Sequence, residues 1–255
     1  MRRGQRGVQP TPAGTALLEH AREVLFTMDR IAGDVAAFAS GVKGQIRLVA
    51  TASAIAESLL DDLASFMREP VNRNIKLDVE ERLSRDLVRQ LRDGCASLGV
   101  CWDRVDFDGL QQLLYRRDRL ALAVHREHPL ARRRRLRFEQ TLEHEHVGLP
   151  PSSAVHTMLQ RAAARAGRTI SYRAIVSNFD SALRVVAAHL GVSVVPMEVG
   201  APHAAALDIR MIPLANEWAE RRFAVCFAGL VTLQPAARRL VDHLVARAAS
   251  APNRP

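Results

Sequence analysis

Short polar segments of this 255-residue chain contain side chains that could bind a small ligand. The clearest is Ser177-Asn178, which separates a predicted strand from an amphipathic segment typical of a helix. The first N–H groups of a helix have no partners within it, so this turn could present them to an anion. Ser and Asn are also common N-cap residues, and capping alone would explain each of them.

Histidine pairs at His125 and His128, and at His144 and His146, have spacings from which a metal site could be built. Both pairs lie in predicted loops or at their edges, the first beside Pro129, and no pattern of cysteines or carboxylates accompanies them. We therefore expect no metal ion, and no other cofactor, in this protein.

Other reactive or charged segments have simple explanations. Cys95 and Cys101 could form a redox pair, but their spacing does not match a pattern that we recognise, so free thiols are expected, and Cys226 makes the number of cysteines odd. The run Arg132–Arg135 could bind phosphate, yet a solvated turn is the simpler explanation. The sequence contains no Gly-x-Ser-x-Gly, P-loop or dinucleotide-binding motif, so we expect that the protein is not an enzyme.

The composition is that of an ordinary globular protein, with 48% apolar and 25% charged residues. No apolar run approaches the roughly 20 residues that span a bilayer. The basic N-terminus also lacks the apolar core of a secretory signal, so a cytoplasmic location is expected. The net charge of +9 is compatible with nucleic acid or another polyanion. All but two of the 36 basic residues are Arg, however, and that bias could have a genomic origin unrelated to binding.

A long helix is predicted over residues 12–41, because Thr11 is a good N-cap, Pro12 suits the first turn and Gly41 ends the pattern. Its apolar residues are spaced alternately by four and three, the a/d seam of a coiled coil: Leu17, Ala21, Val24, Met28, Ile31, Val35 and Phe38. Packing against the chain's own core is the alternative, although a core helix usually has a wider apolar stripe. We expect a dimer contact along this seam.

Beyond Gly44 the periodicity alternates between that of strands and that of helices. Strands are predicted over 45–50, 75–80, 96–100, 110–115, 120–125, 146–149, 171–176, 192–196, 209–214 and 223–227. Helices are predicted over 54–68, 84–92, 153–166, 178–190 and 234–249, with a helical turn at 138–142. This order indicates an α/β fold with parallel sheets built from βαβ units, in two subdomains.

One segment, residues 176–196, runs from a strand through a polar cap and an amphipathic helix to a Gly stop and a buried strand ending in Pro. It resembles the helix–Gly–strand–Pro signature of the effector domain of LysR-type transcriptional regulators. Four further segments resemble landmarks of that family in the same order: Arg6–Gly14, Gly44–Leu48, Leu91–Gly94 and His128–Ala131. The resemblance covers essentially the whole chain.

The resemblance implies two Rossmann-like subdomains with a cleft between them, as in periplasmic binding proteins, preceded by a long linker helix. Residues 1–11 would be a remnant of a winged-helix DNA-binding domain, in which Arg2, Arg3 and Arg6 touch the DNA backbone. Residues 12–41 would be the linker and dimerisation helix, and 45–250 the effector-binding domain. Within that domain, subdomain I would comprise about 45–122 and 210–250, and subdomain II about 123–209.

The same resemblance places an effector in the cleft, against three turns that each precede a helix. Their residues would be Thr51 and Ser53, then Ser152 and Ser153, then Ser177, Asn178 and Phe179. Small hydroxyl side chains at helix N-termini suit a carboxylate or another small anion, so we expect a small anionic metabolite. Three residues depart from the family pattern: Pro10 where Leu is usual, Ser97 where Asp is common, and His189 where Gly is common.

The resemblance therefore predicts a regulator that senses a small molecule and controls promoter activity as a homodimer or homotetramer. Because the segment before residue 12 looks like the end of a winged domain, the chain as given is expected not to bind DNA specifically by itself. A stand-alone binding protein of the periplasmic type is the main alternative. A truncated regulator that forms mixed oligomers with full-length partners is another, and no membrane partner is expected.

Overall fold

The computed structural model describes residues 44–250 without interruption and, before them, residues 2–4, 7–9, 11, 13–14, 17, 20–21, 24, 27–28 and 31. Strands β1 (Arg2–Gly4) and β2 (Gly7–Gln9) form an antiparallel pair. The Thr11 hydroxyl accepts a hydrogen bond from the Gly14 N–H (3.1 Å), which confirms the predicted N-cap. The described positions from 13 to 31 are helical. The rest of the helix predicted over 12–41 lies outside the described residues, and its length stays a prediction.

The remaining strands are β3 (Gly44–Ala50), β4 (Ile75–Glu81), β5 (Leu98–Trp102), β6 (Gln111–His125), β7 (His146–Gly148), β8 (Tyr172–Ile175), β9 (Ser193–Pro196), β10 (Ile209–Pro213) and β11 (Glu220–Phe227). Helix α1 runs over Ala52–Ala54, widens into a π turn at Ile55–Leu59 and continues over Leu60–Arg68. The other helices are α2 (Ser84–Arg92), α3 (Ala154–Arg165), α4 (Phe179–Ala187), α5 (Met197–Gly200) and α6 (Pro235–Ser250). Short 3₁₀ turns occur at Pro70–Asn72, Pro129–Arg132, Phe138–Thr141, Ala201–His203 and Glu217–Ala219.

Strand β6 passes through both halves of the molecule. Its first part pairs with β11 and its last part with β10 and β9, all antiparallel. The prediction of two separate strands, 110–115 and 120–125, was wrong. The charged residues Arg116–Arg119 interrupt the apolar pattern between them, but Arg116 and Asp118 have buried partners of opposite charge, so the strand continues.

The expectation of parallel sheets holds for only part of the structure. β3 pairs in parallel with β4 and β5, and β7 pairs in parallel with β8, as the βαβ order predicts. β6, β9, β10 and β11 are joined by antiparallel pairs, so the main sheet is mixed, in the order β10-β6-β11-β5-β3-β4 with β9 also paired to β6. Local periodicity reports that a segment is a strand, but the direction of its neighbour depends on contacts distant in sequence.

The apolar residues form separate cores in two bodies. One core uses only residues between 120 and 219, and it includes Phe138 and Leu183. The other cores use residues 46–115 and 223–244. The body with these cores is called the first body, and the body with the 120–219 core is called the second body. The chain therefore crosses between the two bodies near residues 116–119 and again near 220–222. No helix within the described residues has the length and hydropathy that spanning a bilayer requires.

A fully buried carboxylate, Asp62, fastens α1 to the rest of the first body. It accepts hydrogen bonds from the Tyr115 hydroxyl (2.6 Å), Arg116 (2.7 Å) and Arg247 (2.8 Å). Burial alone would raise the pKa of Asp62, but these three hydrogen bonds hold it below the ordinary value. The carboxylate is therefore ionised and ties together α1, β6 and α6.

Candidate functional site

The first of the three predicted turns lies at the C-terminal end of β3. Thr51 precedes α1, and its side chain makes no capping hydrogen bond. Ser53 is buried, and its hydroxyl oxygen accepts a hydrogen bond from Nη1 of Arg221 (3.3 Å). Since that oxygen is already accepting from a guanidinium, the Ser53 O–H is oriented to donate elsewhere.

Arg221 is the centre of a buried charged cluster behind Ser53. Its side chain is 3% exposed, and Nη2 donates both to Asp118 on β6 and to Glu57 in the π turn of α1 (3.1 Å). Burial lowers the pKa of Arg221 to about 10, so the guanidinium stays charged at neutral pH. Within the described residues, Oδ1 of Asp118 and Nε of Arg221 have no hydrogen-bond partner, so the cluster retains one acceptor and one donor.

Glu57 is the protonated member of this cluster. Burial raises the pKa of Glu57 from 4.5 to about 8, against the attraction of Arg221, and the nearby charge of Glu198 raises it further. Its backbone leaves helical geometry, with φ −86° and ψ −139°, where the two segments of α1 meet. At neutral pH the positive charge of Arg221 is therefore balanced by Asp118, and Glu57 is neutral.

A hydrogen bond joins the two bodies beside this cluster. The hydroxyl of Ser58, in the π turn of α1, donates to Oε2 of Glu198 on α5 (2.7 Å). Ser58 belongs to the body with the 46–115 core, and Glu198 follows β9 of the other body. The π turn therefore lies where the two bodies touch, close to the crossing of β6.

The second and third predicted turns lie side by side in the other body. Because β7 and β8 are parallel neighbours, their C-terminal ends meet, and the Val176 N–H donates to the Gly148 carbonyl (2.9 Å). Ser152 is exposed, and Ser153 is half-buried and begins α3 without a side-chain capping bond. The start of α3 therefore keeps first-turn N–H groups that its cap residue does not satisfy.

The third turn is partly a structural cap. Oδ1 of Asn178 accepts a hydrogen bond from the Ser181 N–H (2.8 Å), so Asn178 is the N-cap residue of α4. Phe179 is buried at 5% exposure in the core of the second body, while Ser177 is exposed. Among the three predicted residues of this turn, Ser177 is the one whose side chain faces solvent without serving as the cap.

The second and third turns thus lie side by side in the second body, and the first turn lies in the first body. Two surface depressions of about 460 Å³ each lie elsewhere. One is lined by Arg126, Ala201 and Met211 among others, and the second by His128, His144 and His189 among others. Neither contains a predicted effector residue.

Arg221, Asp118 and Glu57 were not predicted from the sequence. Arg221 lies two residues before the buried Phe223 on β11, and strand alternation puts both on one face. The guanidinium lies 5.2 Å from the centre of the Phe223 ring. The two-residue spacing of Arg221 and Phe223 was the sequence signal that could have indicated a buried arginine. It could not indicate Glu57 and Asp118, because these carboxylates come from α1 and β6.

The residues predicted for dimerisation and for DNA contact are only partly described. Leu17, Ala21, Val24, Met28 and Ile31 are helical and exposed in the single chain, and Val35 and Phe38 lie outside the described residues. Arg2 and Arg3 lie in strand β1, and Arg6 falls outside the described residues.

Comparisons with known proteins agree with this architecture. A family model described as LysR substrate binding domain matches residues 39–249. The HTH-type transcriptional regulator YbhD of Escherichia coli (strain K12) is 23% identical over 243 residues, which are 95% of this chain and 76% of YbhD. The structure of full-length CbnR complexed with its target DNA has a TM-score of 0.72 at 22% identity, covering 94% of this chain and 84% of CbnR. The effector binding domain of QuiR in complex with shikimate has a TM-score of 0.69 at 14% identity, covering 81% of this chain and 98% of that domain.

Proposed function

Because the chain belongs to the LysR substrate binding domain family, whose model matches residues 39–249, we propose that it binds a small anionic effector between its two bodies. The family match is the observation that carries the proposal, because residues 39–249 include both bodies and both segments in which the chain passes from one body to the other. The chain is the effector-binding part of a LysR-type regulator, a family of transcriptional regulators and not of enzymes. It would sense its ligand without transforming it, in the cytoplasm.

The charges around Ser53 support an anionic ligand. The Ser53 hydroxyl accepts from Arg221 and must donate elsewhere, and a carboxylate is a good acceptor for it. Glu57 is neutral and Asp118 is paired with Arg221, so neither of these two carboxyl groups presents an unbalanced negative charge to an arriving anion, whereas Glu198 beside them accepts a hydrogen bond from Ser58. Shikimate, the ligand in the QuiR structure, is itself a carboxylate.

The second body would supply backbone amides. The first turn of α3 has no side-chain cap at Ser153, and the exposed Ser177 lies on the neighbouring turn. A carboxylate that bridges Ser53 and these turns would hold the two bodies together, because each contributes donors. Ligand binding would then favour one relative arrangement of the bodies, which the assembled subunits could transmit to DNA.

A thermal-shift screen of small carboxylates, with sodium shikimate and sodium benzoate as first probes, followed by calorimetry, tests this proposal. A ligand that stabilises the chain should bind Ser53→Ala, Ser153→Ala and Ser177→Ala more weakly, and bind Ser171→Ala, on the exposed surface before β8, unchanged. Unchanged affinity in all three turn variants would overturn the assignment of the site.

We also propose that the helix predicted over residues 12–41 joins two copies of the chain. Leu17 is 70% exposed, Met28 61% and Ile31 56%, so the part of the seam that the structure describes is uncovered in the single chain. Size-exclusion chromatography should give a dimer or a larger species. Val24→Glu should shift it toward monomer, while Ala13→Glu, off the seam, should not. A wild-type monomer at every concentration would favour the alternative of a stand-alone binding protein.

A further inference from the structure

Three potential metal ligands meet at the outer end of the second body, where β6 and α4 finish. His125 is the last residue of β6, Glu127 follows in the next turn, and His189 comes just after α4. The ligating atoms of these three side chains all lie within 4.8 Å of one another. His125 is half-buried, and Glu127 and His189 are exposed, so an ion in solution can reach them.

The two imidazoles are already in contact. The rings of His125 and His189 stack with their centroids 4.5 Å apart and their planes at 22°. The Glu127 N–H donates to Nδ1 of His125 (3.3 Å), which keeps the Glu127 residue beside that ring. The group is thus held by a local turn on one side and by a helix terminus on the other.

His189 occupies a backbone position that favours glycine. Its φ is +62°, and it ends α4 with hydrogen bonds from its own N–H to the Val186 carbonyl (2.9 Å) and from Leu190 N–H to Val185 (3.3 Å). This is the pattern of a Schellman C-cap, in which the left-handed residue is usually Gly. A histidine there has a strained backbone, and the side chain it supplies lies on His125.

The surroundings contain further donors. His189 lines a groove of about 460 Å³ together with His128, Glu143 and His144. The rings of His128 and His144 lie edge to face, 4.7 Å between centroids. The groove therefore places further imidazole and carboxylate groups near His189.

We propose that His125, Glu127 and His189 form a site for Zn²⁺. Two imidazoles and one carboxylate are a ligand set that zinc accepts in tetrahedral geometry, with water in the fourth position. Bonds of about 2.0–2.1 Å place such ligands about 3.4 Å apart. The donor atoms must therefore approach one another from separations of up to 4.8 Å, which rotation of the exposed Glu127 and His189 side chains allows. Mg²⁺ and Ca²⁺ prefer oxygen ligands and are not expected to bind here.

This site is independent of the predicted effector turns and differs from the expectation drawn from the His pairs. His125-x-x-His128 and His144-x-His146 suggested metal ligands that are close in sequence. The structure instead combines one member of the first pair with a carboxylate and with a histidine from a helix terminus. An ion would tie the end of β6 to the end of α4, the helix whose first residues form the third turn.

Calorimetric titration of ZnCl₂ into the untagged, EDTA-treated chain tests the proposal. One ion should bind per chain, and MgCl₂ should give no heat of binding. His125→Ala, Glu127→Gln and His189→Gly should each weaken zinc binding by at least about tenfold, since loss of an outer-shell partner alone has that effect. His203→Ala, an exposed histidine outside the group, and Cys95→Ser should bind zinc as the wild type does.

The variant His189→Gly is expected to fold normally, because Gly suits the left-handed backbone at that position. A loss of zinc binding in this variant can therefore not be attributed to a folding defect. Without zinc it should unfold at a slightly higher temperature than the wild type. With zinc, the wild type should gain thermal stability and His189→Gly should not. Absence of zinc binding by the wild type, or equal binding by the wild type and His189→Gly, would overturn the proposal.

Discussion

Replacing Glu57 by Gln should stabilise the protein, and more so as the pH rises. Glu57 is buried beside Arg221 and Asp118, and burial raises its pKa from 4.5 to about 8. The unfolded chain releases this proton above pH 4.5, whereas the folded chain keeps it until about pH 8. The folded state therefore binds more protons across that window, and the free energy of unfolding falls as pH increases. The amide introduced by Glu57→Gln would be uncharged in both states and would remove this dependence.

The magnitude follows from the two pKa values. At pH 7 the difference between the ordinary pKa of 4.5 and the solution pH corresponds to about 3 kcal/mol, at about 1.4 kcal/mol per unit. The amide oxygen of Gln can still accept from Nη2 of Arg221, as Oε1 of Glu57 does at 3.1 Å, so packing and hydrogen bonding are retained. The advantage of Glu57→Gln over the wild type should grow by about 3 kcal/mol between pH 5 and pH 8.

Urea unfolding at pH 5, 6, 7 and 8 measures this difference directly. Glu81→Gln, which changes an exposed carboxylate, is the matched control and should follow the wild-type curve. Parallel curves for the wild type and Glu57→Gln would show that Glu57 does not carry a raised pKa in the folded chain. A loss of stability in Glu57→Gln at pH 7 would count more strongly against it, because it would reveal an ionised Glu57 paired with Arg221.

Three further outcomes are expected. Asn178→Ala should lower the free energy of unfolding by about 1 kcal/mol in urea titrations, because the Ser181 N–H loses its cap, and Asn178→Asp should not. Burial lowers the pKa of His146 to about 4, so the neutral ring, bonded to Thr141, stabilises the fold above pH 6.5 and this contribution is lost as pH falls toward 4. His146→Gln should flatten the pH dependence of urea unfolding in that range, and an unchanged slope would contradict it. Calorimetry of a carboxylate ligand should show weaker binding as pH rises through about 8, where Glu57 becomes negative, and Glu57→Gln should abolish that decline.

Much of the fold could be predicted because its signals are local. Periodicity marked the strand and helix segments from β3 to α6 with the exception of the short α5, and cap chemistry marked the start of the first helix at Thr11. The pairing directions could not be predicted, because β6, β9, β10 and β11 meet through contacts far apart in sequence. β6 itself looked like two strands because its centre is charged, and only tertiary partners make a buried charge compatible with a strand.

The candidate site was likewise predictable from the sequence only in part. The turns at Ser53, Ser153 and Ser177 could be placed at helix starts from the sequence pattern and the family resemblance together. The cluster behind Ser53 could not, since Glu57, Asp118 and Arg221 come from a helix and two different strands. The ligand group of His125, Glu127 and His189 was equally hidden. It depends on a left-handed C-cap where a glycine would have been the expected residue.

A crystal structure of the chain with a carboxylate selected by the thermal-shift screen would decide where the effector binds. The carboxylate should lie between the two bodies, within hydrogen-bond distance of the Ser53 hydroxyl and of backbone N–H groups at the start of α3. A ligand bound at full occupancy elsewhere, with no contact to Ser53, Ser153 or Ser177, would contradict the proposed site.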